Sequence, residues 1–290
     1  SRLEAGGKML YATMVGLRNF ALGLARDLCM VIAMPDHNPH PSLPVVLISL
    51  FGLYVIWVLA AWVTNDAAVL PGPAEVWRIG LLEGQSGELQ RHIWATLKRV
   101  AIAFALAMVF GTVAGLLLGF YPYLNRWFGP WLIVLLNIPA LVVIVLCYLW
   151  IGLNEVAAVT AVALNKMAMV AVTLREGVQA LDPKLGEMAR VFRMRPIQRL
   201  RHVTLPQLWP YFAASTRNGL AIIWKIVLVV EFLGRSNGIG FQIHLYFQLF
   251  ETRYVLAYAL SFVFLMLALE YGALQTLERR ATSWRSASLV

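Results

Sequence analysis

The sequence predicts an all-α polytopic membrane protein: six spanning helices with a loop of two short helices on the cytoplasmic side. Three observations predict it. The 290 residues are 60% apolar and only 13% charged, with a mean hydropathy of +0.71, where a soluble domain carries about 45–50% and about 25%. Six apolar runs are each long enough to cross a hydrocarbon core about 30 Å thick, which takes about 20 helical residues. Basic residues crowd onto alternate connections between those runs, as the positive-inside rule requires. Such a composition excludes a soluble enzyme, a disordered scaffold and a free nucleic-acid binder.

The N-terminal segment, residues 1–43, is apolar between Met9 and Met34. Arg18, Arg26 and Asp27 would nevertheless lie at mid-membrane in a spanning helix, where charge is expensive. An amphipathic helix on the cytoplasmic membrane surface is expected instead, with the proline-rich stretch from Pro35 to Pro41 as a stiff turn into the first span. No cleavable leader with a small-residue cleavage site is read in it.

The spans follow at residues 44–64, 96–119, 127–151, 155–174, 208–233 and 254–277, within a transmembrane domain of 44–278, before a cytoplasmic tail at 279–290. Long continuous apolar runs make them helices; a barrel would show short alternating strands. Gly111, Gly115 and Gly119 in the second span stand four residues apart and line one face, which predicts a seam where another helix approaches closely. With the N-terminus inside, the inner set holds Arg2, Lys8, Arg18, Arg26, Arg126, Arg175, Lys184, Arg190, Arg193, Arg195, Arg199, Arg201, Arg279, Arg280 and Arg285. The outer set is Arg78, Arg91, Arg235 and Arg253. Both termini are therefore expected in the cytoplasm. The net charge of +9 reads as topology, and no nucleic-acid partner is expected.

Residues 175–206 form the informative loop. Pro183 and Pro196 suit the first turns of two short helices, near 183–192 and 196–203. Val191, Phe192, Ile197, Leu200 and Val203 would supply apolar contact within a rim of arginines, as in a docking platform; the plainer reading is a basic loop held near anionic lipid headgroups. Inside the spans, Lys166, Lys225 and Glu231 are charged, and Asn137, Asn165 and Trp224 add polar atoms. Intramembrane charge often marks a transport route, and two lysines facing a path would favour a small anion. The plainer reading pairs the lysines across helices with Glu231, Glu155 or Glu270, since Lys225 and Glu231 are six residues apart and do not face each other.

Cys29 and Cys147 read as packing residues, and the five histidines, His37, His40, His92, His202 and His244, are scattered. No metal-ligand spacing, nucleophile–base pair or phosphate-binding glycine loop stands out, so no catalytic or metal site is expected.

Glu187-Met188-Ala189 followed by Val203-Thr204-Leu205-Pro206 resembles the EAA loop of bacterial ABC-importer permeases, whose pattern is Glu-Ala-Ala, three residues, Gly, nine residues, then aliphatic-X-Leu-Pro. Thr173, Gly177 and Asp182-Pro183 upstream, and Arg217, Glu231-Phe232-Leu233-Gly234 and Gly238-Ile239-Gly240 downstream, extend the resemblance. The stretch from Leu70 to Val76 resembles the motif after the first span in the nitrate/sulfonate/taurine branch. Two departures stand out: Met188 replaces the second alanine, and Arg193 replaces the glycine that normally turns the chain between the coupling helices. Arg193 is expected to turn with ordinary dihedrals, or the break to shift toward Pro196.

The resemblance implies a type I ABC-importer fold in the bacterial inner membrane, with two permease copies, a homodimer being the simpler arrangement. It also implies two cytoplasmic ATPase subunits that carry the ATP and Mg, no cofactor in this chain, and a periplasmic binding protein. Glu187, Met188, Ala189, Phe192, Arg193, Leu205 and Pro206 would meet the ATPase. Lys166, Lys225, Asn165, Trp224 and Glu231 would lie along the substrate path. An ion-coupled carrier or channel also suits intramembrane Lys and Glu, but has no need of a spaced docking loop. A membrane scaffold without transport would leave the lysines an unexplained cost.

Overall fold

A computed structural model describes residues 43–269, all helix and connecting turns. The N-terminal segment with Cys29, the last part of the sixth predicted span, Glu270 and the tail at 279–290 lie outside the described residues. The chain divides at Ile56 into two compact units. In the first, the described part is the start of α1 (Leu43–Thr64), with Ile48, Phe51 and Leu53 exposed.

The second unit holds the remaining helices in chain order: α2 (Pro73–Ser86), α3 (Glu88–Phe120), α4 (Pro122–Asn137), α5 (Ala140–Ile151), α6 (Glu155–Gln179), α7 (Pro183–Val191), α8 (Pro196–Arg199), α9 (Leu205–Gly234), α10 (Ile239–Gln248) and α11 (Thr252–Leu269). Their boundaries follow local chemistry. Pro73, Pro122, Pro183 and Pro196 open helices where a missing N–H costs nothing. Gly87, at φ +82°, turns the chain between α2 and α3. The Asn154 side chain accepts the Ala157 N–H at 2.8 Å and caps α6. Asn154→Ala is expected to cost about 1 kcal/mol, measured by unfolding of the detergent-purified protein.

Among the described residues, four helices are long and apolar enough to cross a membrane: α1, α3, α6 and α11 as far as Leu269. The bent pair α4 and α5 raises the number to five, so the six predicted spans are not all recovered. The third predicted span, 127–151, is two helices bent by 99°. Pro139 stands at the break, where it can donate no helical N–H and holds Ile138 extended. The fifth lies in α9, a 30-residue helix that carries Arg217, Lys225 and Glu231 and is not among the qualifying helices.

The core is built on α3 against α6. Gly111 lies on Met167 and Val170, Gly115 on Ala171 and Leu174, and Gly119 on Val178, so the glycine seam forms as expected. Alanines continue it: Ala103, Ala107, Ala157, Ala161 and Ala168 are all fully buried. The other wall comes from α9, through Ile223, Val227 and Val230, and Trp224 meets Phe262 of α11 edge-on at 6.0 Å. Cys147 is buried in this core as a small apolar residue.

Candidate functional site

Two places carry the sequence-predicted site residues: the loop between α6 and α9, and the polar side chains within the helices. In the loop, Asp182 caps α7 by accepting the Lys184 N–H at 2.8 Å. The helix ends in two crossed bonds, Met194 N–H to Ala189 O and Arg193 N–H to Arg190 O, both 3.0 Å. That is a Schellman ending, which needs a left-handed residue after the cap. Arg193 supplies it at φ +49°. The expectation that Arg193 turns with ordinary dihedrals, or that the break moves to Pro196, is therefore corrected: the helix end requires the left-handed state where it would fall on glycine.

The second short helix also differs from expectation. It has four residues, then widens into a π turn at Leu200–Thr204 and runs on into α9 without a break. The Leu205 N–H reaches back to Leu200 O, and the wider turn makes room for Pro206, whose ring would crowd the carbonyl four residues back in a regular helix. The loop is thus the continuous end of α9, with α7 folded against it.

Glu187, Met188, Phe192, Arg193, Leu205 and Pro206 all present exposed surface. Ala189 does not: it is 2% exposed, on the face α7 turns inward. Val203, an expected apolar contact, is buried too, so the exposed apolar surface comes from Val191, Phe192, Ile197 and Leu200. A cavity of about 650 Å³ opens beside the loop, lined by Leu185, Met188, His202, Pro206 and Tyr211 among others.

The intramembrane residues separate into three environments. Lys166 of α6 is 2% exposed; its Nζ donates to Met169 Sδ at 2.6 Å and to Asn218 O of α9 at 3.3 Å. Lys225 is exposed, on a face of α9 shared with Asn218, Ile222 and Val229, and forms no ion pair among the described residues. Trp224 is buried beside it, and Asn165 is half-buried.

Glu231 is fully buried and does not pair with a lysine. It accepts from Arg99 Nη1 at 2.6 Å, from Thr96 Oγ1 at 2.9 Å and from the Gly240 N–H at 2.9 Å. Arg99, 4% exposed, turns its other face to Glu155, at 2.8 Å from Nε and 2.6 Å from Nη2, and also bonds Asn237. Arg235 joins through Glu155 at 2.9 Å. His92 Nδ1 accepts the Gly238 N–H at 3.0 Å, and Thr96 Oγ1 the Ile239 N–H at 3.0 Å. One guanidinium therefore ties α3, the start of α6, the end of α9 and the turn into α10. Buried charges persist where they are paired and fully hydrogen-bonded, and Glu231, with no exposed surface in this chain, is held as a structural anchor. Gly238 and Gly240 are needed for it: a Cβ at Gly238 would strike the Glu231 carboxylate, and one at Gly240 the Leu228 carbonyl.

Arg99 escaped the sequence reading. The available signal was an arginine just inside the predicted second span, together with acidic residues at the ends of the fourth and fifth, which no periodicity connects.

Residues 84–281 match the family model described as binding-protein-dependent transport system inner membrane component. A putative aliphatic sulfonates transport permease protein, SsuC of Bacillus subtilis, is 31% identical over 84% of this chain and 87% of its own length. The taurine transport system permease protein TauC of Escherichia coli is 26% identical over 80% of this chain and 86% of its own. For the bicarbonate transport system permease protein CmpB of Synechococcus elongatus the figures are 25%, 82% and 86%. Among solved structures, an inward-facing MetNI methionine ABC transporter superposes with a TM-score of 0.60 at 18% identity, covering 69% of this chain and 98% of that one. That likeness concerns the fold.

Proposed function

The chain belongs to the family of binding-protein-dependent transport system inner membrane components, and from that premise we propose that it is the permease of an importer for a small anionic solute. Membership makes it a membrane-embedded transport subunit of an ABC importer, and the carrier and scaffold readings fall away. Two copies would form the pathway in the bacterial inner membrane, with both termini cytoplasmic. Two ATPase subunits would dock on the loop between α6 and α9, and a periplasmic binding protein would deliver the solute.

One observation carries the anionic reading: Lys225 stands exposed about two-thirds of the way along α9 without an ion-pair partner among the described residues. A lone ammonium facing hydrocarbon at that depth is costly; facing an aqueous path it attracts anions. Aliphatic sulfonates, taurine and bicarbonate, the solutes in the relatives' names, all carry an anionic group. Lys166 acts from behind, its Nζ holding the Asn218 carbonyl on the same stretch of α9.

In proteoliposomes with the ATPase and binding protein, Lys225→Met is expected to lower uptake at least about tenfold, equivalent to about 1.4 kcal/mol, while Lys225→Arg retains most of it. Lys166→Met is expected to lower uptake while raising thermal stability, because it removes a buried ammonium that has no ion-pair partner among the described residues. Unchanged uptake of sulfonate, taurine, nitrate and bicarbonate in both Met variants would remove the anionic reading.

A further inference from the structure

We infer that Arg193 recognises an acidic patch on the ATPase subunit that docks on this loop, and that its strained backbone is retained for the side chain. The inference rests on the permease reading and specifies the chemistry of the partner's face.

The turn between α7 and α8 is made by backbone atoms, through Met194 N–H to Ala189 O and Arg193 N–H to Arg190 O. Glycine would make the same two bonds without the crowding that a Cβ suffers at φ +49°. A left-handed arginine is thus a worse turn residue than glycine, and strain held at an exposed position points to a use for the group attached there.

The surroundings show what that use is. Arg190, Arg193, Arg195 and Arg199 are all exposed, and none forms an ion pair among the described residues. Four like charges within ten residues repel one another until an opposite charge arrives. Between them Val191, Phe192 and Ile197 are 79%, 74% and 76% exposed. An aromatic anchor flanked by arginines is the composition of an interface centre. Anionic lipid would also neutralise the charge, but the geometry of the loop favours a protein. A nine-residue helix, a fixed left-handed turn and the buried Ala189 and Val203 hold this surface in one shape, which a partner of fixed shape can match and a fluid bilayer cannot.

The test is association of the purified ATPase with the permease in nanodiscs of neutral lipid, across a salt series, for wild type and Arg193→Gly, Arg193→Lys and Arg193→Glu. Arg193→Gly is expected to raise the permease Tm by about 2–4 °C, yet to weaken ATPase binding about tenfold and flatten its salt dependence. Arg193→Lys should keep most of the salt dependence, and Arg193→Glu should bind most weakly. A purely structural residue would move stability and binding in the same direction. Unchanged affinity and salt slope in Arg193→Gly would overturn the inference and leave the permease reading standing. An effect of Arg193 confined to nanodiscs with anionic lipid would overturn it in favour of the membrane. Failure of the wild type to bind its co-encoded ATPase at any salt would overturn the permease reading as well.

Discussion

Gly115→Leu is expected to abolish recovery of folded protein. A Cβ at Gly115 stands 2.6 Å from Ala171 O and 2.9 Å from Leu174 Cβ, closer than atoms can sit. One of these contacts is backbone, so relief requires moving α3 away from α6 along the whole seam. Val170 and Val178 press equally on Gly111 and Gly119, and a shift at one position opens gaps at the other two. Overpacking by a single methyl costs about 1–3 kcal/mol, so Gly115→Ala should be recoverable but weakened. The four carbons of a leucine side chain come on the same scale to about 4–12 kcal/mol, comparable to the whole of the roughly 5–15 kcal/mol by which a typical fold is stable. Monodisperse yield after detergent extraction measures the outcome. Gly80→Ala and Gly84→Ala in α2, where an added Cβ meets nothing within 4 Å, serve as controls; they should match or slightly exceed wild type because alanine is the better helix former. Equal yields for Gly115→Leu and the controls would show that the seam does not hold α3 to α6.

Arg99→Met is expected to be nearly as damaging, at about 3–5 kcal/mol, because it leaves Glu231 buried beside no cation. Lysine should not rescue it: a single ammonium cannot fork to Glu155 while also bonding Glu231 and Asn237. The double variant Arg99→Met/Glu231→Leu should recover only part of the loss. It removes both charges, yet the Gly240 N–H loses its acceptor while the Thr96 hydroxyl falls back on the His92 carbonyl, and an unpaired buried donor costs about 1–3 kcal/mol. Thermal unfolding of the four proteins in one detergent separates these terms. A double variant as stable as wild type would reduce the cluster to an isolated ion pair.

The helical architecture was legible because spanning helices announce themselves residue by residue: length, apolarity and the spacing of Gly111, Gly115 and Gly119 are local quantities. The bend at Pro139 was not read from the sequence, which took 127–151 as one span; its size depends on how α4 and α5 each pack. The candidate site was legible as a list of residues and far less as an arrangement. Glu231, grouped by sequence with Lys225, is consumed by Arg99, 132 residues away along the chain. Ala189, a member of the recognisable loop pattern, faces inward and supports the neighbours that face outward.

By itself the sequence determined the solvent of this protein, the helical class, the family through a spaced loop, and the small-residue seam. Each follows from composition or from short-range periodicity, which a helix translates directly into a face. Only the tertiary structure decided which charges are anchors and which are open, and in what conformation Arg193 turns. Burial and pairing depend on which helices meet, and a left-handed turn depends on the carbonyls it must satisfy, so neither is written at any one position in the chain.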